Sequence, residues 1–167
     1  LIPFIEKISS KFNLNKPIIV ADAGLLSNEN IKALEEKEYQ YIIGARLKNE
    51  PDKIKQQILN KSLSNGQIFK IQKSKKNRLI IAYSDSRATK DEHNRKRGLH
   101  RLEKQIKAGK LTKSNINNKG YNKYLKLSGD VAIEIDYQKF EADKFWDGLK
   151  GYITNATLSD KQIIENY

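Results

Sequence analysis

Asp22 follows Ile18-Ile19-Val20-Ala21, a run of four consecutive apolar residues after Pro17, and stands two residues before Gly24. Such a run predicts a short strand over residues 17–22, buried on both faces as the parallel strands of α/β sheets are. The strand delivers one carboxylate at its carboxyl end, where open α/β sheets place their ligands. A hard divalent cation is the usual partner for an oxygen ligand in that position. Alternatively, the same carboxylate orders the turn by accepting hydrogen bonds from neighbouring backbone N–H groups.

A second kind of chemistry is written in the charge. Residues 66–126 carry 18 of the 32 Lys and Arg but only 4 of the 20 Asp and Glu, so this stretch holds more than the whole net charge of +12. Lys75, Lys76 and Arg78 lie in and beside a turn between two apolar runs, while Arg87, Lys90, Arg95, Arg97, Arg101 and Lys104 fall along one charged helix over 85–108. Arg97, Arg101 and Lys104 recur at i, i+4 and i+7 and so share a face. Asp85, Asp91, Glu92 and Glu103 are too few to neutralise the helix through i,i+4 pairs. Positive charge concentrated in this way points to the phosphates of a nucleic acid. An anionic membrane surface fits less well, because the basic stretch lacks a broad aromatic or Leu-rich face. No helix-turn-helix or zinc-finger pattern is present, so contact with double-stranded DNA without much sequence preference is expected. Tyr121, Tyr124 and Trp146 either stack on bases or pack within the fold.

The elements that must position these groups follow from periodicity and punctuation. Helices are expected at 2–13, at 28–37 with Ser27 or Asn28 as cap, at 51–60 with Pro51 in its first turn, at 85–108 on an inner stripe of Leu99, Leu102 and Ile106, and from Ser159 onward. Residues 138–145 suit a helical turn. Strands are expected at 17–22, 39–46, 121–127, 131–135 and 148–154, with 67–71 and 78–83 forming an antiparallel hairpin. Strands 17–22 and 39–46 should run parallel through a right-handed crossover. The fold class is α/β. The absence of Cys excludes disulfides and thiolate metal sites, and His93 and His100, both in the basic segment, do not make a zinc site. No apolar run is long enough to span a bilayer.

Taken in order, three stretches resemble the DDE transposases of bacterial insertion sequences. They are Val20 to Asn30 with Ala33-Leu34-Glu35, then Tyr41-Ile42-Ile43-Gly44-Ala45-Arg46, then Asp147-Gly148-Leu149-Lys150-Gly151-Tyr152-Ile153-Thr154-Asn155, with the segment from Tyr83-Ser84 to Arg97 in support. The resemblance implies part of a ribonuclease H-like core over residues 1–65, a β-rich insertion with the basic helix over 66–155, and the start of a core helix over 156–167. It implies that Asp22 is the second of three acidic residues that hold two Mg²⁺ or Mn²⁺ ions. Tyr167 would open a Tyr-x-x-Arg-x-x-x-Glu helix whose glutamate lies beyond residue 167, and the first Asp would lie before Leu1. Its activity would be metal-dependent cleavage and strand transfer of transposon ends by a homodimer on double-stranded DNA, in the bacterial cytoplasm at the nucleoid. The alternatives are a metal-dependent nuclease of the same core, a DNA-binding remnant without catalysis, and an RNA-binding or ribosome-associated basic protein. With core strands expected ahead of strand 17–22, its outer edge should pair with another chain or lie under helix 2–13.

Overall fold

A computed structural model of the protein describes residues 1–24, 27–129 and 132–167. In chain order the regular elements are α1 (Ile2–Lys11), β1 (Ile19–Ala21), α2 (Asn28–Glu36), β2 (Tyr41–Ala45), α3 (Asp52–Leu59), β3 (Ile68–Gln72) and β4 (Arg78–Tyr83). There follow α4 (Asp85–Lys107), β5 (Leu125–Ser128), β6 (Ala132–Ile135), α5 (Tyr137–Asp143), β7 (Leu149–Thr154) and α6 (Asp160–Glu165). The protein is mixed α/β and divides into two compact units, one of Leu1–Tyr83 with Leu149–Tyr167 and one of Ser84–Gly148. Leu25 and Leu26 of the transposase-like run, and Val131 at the head of the expected strand 131–135, lie outside the described residues.

The first unit is built on a five-stranded sheet in the order β1-β2-β7-β4-β3. β1 and β2 are parallel, with Ile19 opposite Tyr41, and all other neighbours are antiparallel. Side chains alternate across a strand, so β2 feeds two cores. Tyr41 and Ile43 pack with Ile5 of α1 and Leu34 of α2 on one face. On the other, Ile42 packs with Ile80, Tyr152 and Ile163 of α6. The strand buried on both faces is therefore β2. Contrary to expectation, β1 is a three-residue edge strand among the described residues, and its Val20 is 45% exposed. α1 supplies Ile2 and Ile5 to the cluster that receives Ile19, so it covers one face of β1.

The expected hairpin is present as β3 and β4, but it belongs to this sheet and pairs with β7. The stretch that forms a unit of its own is accordingly 84–148 and not the 66–155 anticipated for an insertion. Ladder hydrogen bonds from β4 to β7 draw both strands into the sheet of the first unit, a pairing that hydrophobic runs alone do not reveal.

In the second unit Ser84 caps α4 by accepting a hydrogen bond from the Arg87 N–H. The stripe Leu99, Leu102 and Ile106 packs, as anticipated, on Tyr124, Leu125, Ile135 and Phe140. Residues Gly120–Tyr124 form a 3-10 turn where a strand was expected, and the strand begins only at Leu125. Gly98 is buried in α4, and a Cβ there would stand 2.2 Å from the Tyr121 ring. No helix among the described residues is long and apolar enough to cross a membrane.

Candidate active site and nucleic-acid interface

Asp22 emerges exposed from the carboxyl end of β1, where parallel strands present their termini. Its Oδ1 accepts a hydrogen bond from the hydroxyl of Tyr167, 145 residues away in the chain. Tyr167 is brought there by α6. Ser159 and Gln162 form a reciprocal capping box at the start of that helix, and Ile163 anchors it in the core. The Tyr167 ring meets Tyr152 of β7 edge-on at 5.0 Å, with the Lys150 Nζ 4.2 Å from its centre. Gly44 of β2 leaves room for the hydroxyl, since a Cβ at that position would stand 2.4 Å from it. Burial, followed by the hydrogen bond to the Asp22 carboxylate, pushes the Tyr167 phenol up to about 12. It therefore remains a donor at neutral pH and fixes the direction in which Asp22 points. The guanidinium of Arg46 borders the turn after Asp22, 3.7 Å from where a Cβ on Gly24 would lie.

These residues do not by themselves fit a divalent cation. Asp22 is one carboxylate, one of its oxygens accepts the phenol, and the described residues contain no group of three His, Cys, Asp or Glu able to hold a metal ion. What the arrangement provides is an oriented, exposed carboxylate at a strand end, flanked by a phenol.

The residues expected to meet DNA divide into free and committed sets. Lys75 and Lys76 are exposed on the β3–β4 turn, and Lys90, Arg97, Arg101 and Lys104 are exposed along α4. Arg97 donates to Asn94 at 3.1 Å, and Arg87 pairs with Asp91 at 3.5 Å. Two expectations are corrected. Arg78 is spent inside the first unit, donating to Asp160 at 3.2 Å and to the carbonyls of Ala156 and Leu158 at 2.7 and 2.6 Å. Arg95 is buried in the second unit, donates through Nε and Nη2 to Asp147, and lies 4.7 Å over the Phe140 ring. A guanidinium with its planar fork filled cannot also clamp a phosphate. Tyr124 is not a base-stacking platform either, because it is buried edge-on to Phe140 and donates to Asp143.

Arg97, His100, Arg101, Lys104 and Lys110 line a hollow of about 570 Å³ with no carboxylate among its described lining residues. Lys110, Lys119, Lys150, Gly44 and Tyr152 had not been singled out from the sequence. The only advance signal was their place in or beside the basic and transposase-like stretches. No family model matches the chain, and neither a curated protein nor a solved structure matches it.

Proposed function

We propose that residues 1–167 form part of the catalytic region of a DDE transposase, with the first unit a partial ribonuclease H-like core and the second a DNA-binding subdomain. One observation carries the proposal. The two residues that the resemblance assigns to one catalytic centre, Asp22 and Tyr167, are joined by a hydrogen bond although they stand at opposite ends of the chain. Tyr167 orients the carboxylate, Gly44 admits the phenol, and the free cations of α4 hold the phosphate backbone. A transposase of this type also needs Mg²⁺ or Mn²⁺ and two further carboxylates, which the described residues do not bring to Asp22 and which segments outside residues 1–167 would contribute.

The test uses the whole protein that carries this sequence, assayed for cleavage of a duplex bearing its transposon ends. Asp22→Ala should lower cleavage by at least about a thousandfold while leaving duplex binding within about twofold, because the lost group serves the reaction and not the backbone contact. Cleavage at the native rate by this variant would end the assignment. A second reading, DNA binding without catalysis, is favoured by Arg101, Lys104 and Lys110 of the second unit, whose side chains are unpaired among the described residues. It predicts duplex binding that weakens with salt and no cleavage by the unaltered protein.

A further inference from the structure

The second half of α4 and the polar segment after it border a half-open hollow of about 460 Å³. Arg101 and Gln105 line it from the helix, Lys110 and Asn115 from the following segment, and Lys119 and Tyr121 from the 3-10 turn and the residue before it. Three cations share this wall with no carboxylate among the described residues that line it. None of the three side chains has a hydrogen-bond or ion-pair partner among the described residues. Elsewhere in the same unit Arg87, Arg95, Lys96 and Lys123 each hold a carboxylate. Like charges facing one hollow repel, and an anion seated between them converts that repulsion into attraction. The side-chain NH2 groups of Gln105 and Asn115 add neutral donors at the same place, that of Asn115 held in position by its Oδ1, which accepts from the Thr112 N–H at 2.7 Å and the Thr112 hydroxyl at 3.1 Å. The wall is stiff on one side, where the Tyr121 ring lies against Gly98.

The volume falls within the range of about 300–1,000 Å³ typical of small-ligand pockets and is far too small to receive a duplex. It suits one phosphate group and the moiety it esterifies. The cavity shares Arg101, Gln105 and Lys110 with the larger hollow, so a phosphate chain leaving it would pass onto the cationic face of α4.

We propose that this cavity is a phosphate-ester site in which Arg101, Lys110 and Lys119 bind the phosphate oxygens and Tyr121 bounds the group attached to them. The choice between a nucleic-acid strand and a free nucleotide as the source of the ester rests on the DNA reading of α4, but the site itself does not.

The full chain is titrated with inorganic phosphate, thymidine monophosphate and a short oligothymidylate, followed by calorimetry and by the side-chain amide signals of Asn115 and Gln105. Saturable shifts of these signals are expected. The triple variant Arg101→Ala, Lys110→Ala, Lys119→Ala should weaken binding by at least about tenfold, as removal of charge-assisted contacts does. The control triple Lys7→Ala, Lys32→Ala, Lys53→Ala, which removes the same charge from the first unit, should change it by less than about twofold, the limit set by general screening. All six side chains belong to exposed residues, so circular dichroism should be unaltered. Mononucleotide binding as tight as that of the oligonucleotide assigns the site to free nucleotides, and a preference for the oligonucleotide assigns it to a strand. Equal losses in the two triples, or no saturable shift at Asn115, would overturn the proposal. Mononucleotide and DNA binding both left unchanged by the first triple would remove the pocket and leave the contact along α4. A mononucleotide bound here by a chain that binds no DNA would do the reverse.

Discussion

Tyr41 and Tyr124 are buried phenols, each donating to a carboxylate: Tyr41 to Glu35 at 2.7 Å and Tyr124 to Asp143 at 2.6 Å. Burial first, then the adjacent carboxylate, pushes both well above the ordinary phenol value of 10.0. Below about pH 10 both folded and unfolded chains keep these protons, and the stabilisation is complete. Above it the unfolded chain releases protons that the folded chain retains, so folding stability must fall as pH rises. Urea midpoints measured from about pH 8 to about pH 11 should decline beyond pH 10, and Tyr124→Phe should flatten part of that decline. A midpoint independent of pH across that window would show that these hydroxyls are not held neutral. The same attention to partners separates Arg95 from Arg101. Both lie on α4 and read alike in the sequence, but Asp147 and Phe140 enclose one while the other is exposed and unpaired among the described residues.

At the level of elements, α4 shows how a helix can be weakened locally to gain a contact. Gly98 is a poor helix residue, about 1 kcal/mol worse than Ala in a helix interior. Its missing side chain lets the Tyr121 ring reach the helix backbone, beside the cluster built on Leu102 and Tyr124. Gly98→Ala restores helix propensity but forces the ring aside, which in a packed site costs about 1–3 kcal/mol. The expected net outcome is a loss of up to about 2 kcal/mol, with chemical-shift changes at Tyr121 and Leu102. A variant more stable than the parent would show that the ring moves away freely. Gly44 plays a comparable part in β2, where the absence of a Cβ leaves space for the Tyr167 hydroxyl beside Asp22.

For the whole molecule, the sheet of the first unit ends at β1 among the described residues. Val20 is 45% exposed there, and Phe4 and Phe12, on and just after α1, are 66% and 62% exposed. A strand edge with apolar side chains in water is a template for pairing with another chain. Light scattering should therefore show association that grows with concentration, and Val20→Lys should reduce it. A chain that remains monomeric at every concentration would refute this. Charge is distributed as unevenly as apolar surface, since more than the whole net positive charge lies in residues 66–126. The second unit, together with the β3–β4 turn, is thus where a polyanion would be drawn.

Local patterning was legible because it acts over a few residues. The stripe Leu99, Leu102 and Ile106 announced the buried face of α4, Ser27 and Ser159 announced helix starts, and Tyr41 to Ala45 announced a strand. The parallel pairing of β1 with β2 also followed from the short crossover between two apolar runs. Asp22 could be picked out by the end of its apolar run, and the cations of α4 by their density. Which apolar run would be central could not be read, because edge and centre differ only in what lies beyond: Ile18 to Ala21 became the edge and Tyr41 to Ala45 the interior. The fate of each cation was equally hidden. Arg78 meets Asp160 and Arg95 meets Asp147, pairings across 82 and 52 residues that no periodicity encodes. Composition, element type and the concentration of positive charge in residues 66–126 were thus determined by the sequence alone. The junction of Asp22 with Tyr167, and the choice of which cations remained free, were decided only by tertiary packing, because a side chain's partners depend on where distant strands and helices come to rest.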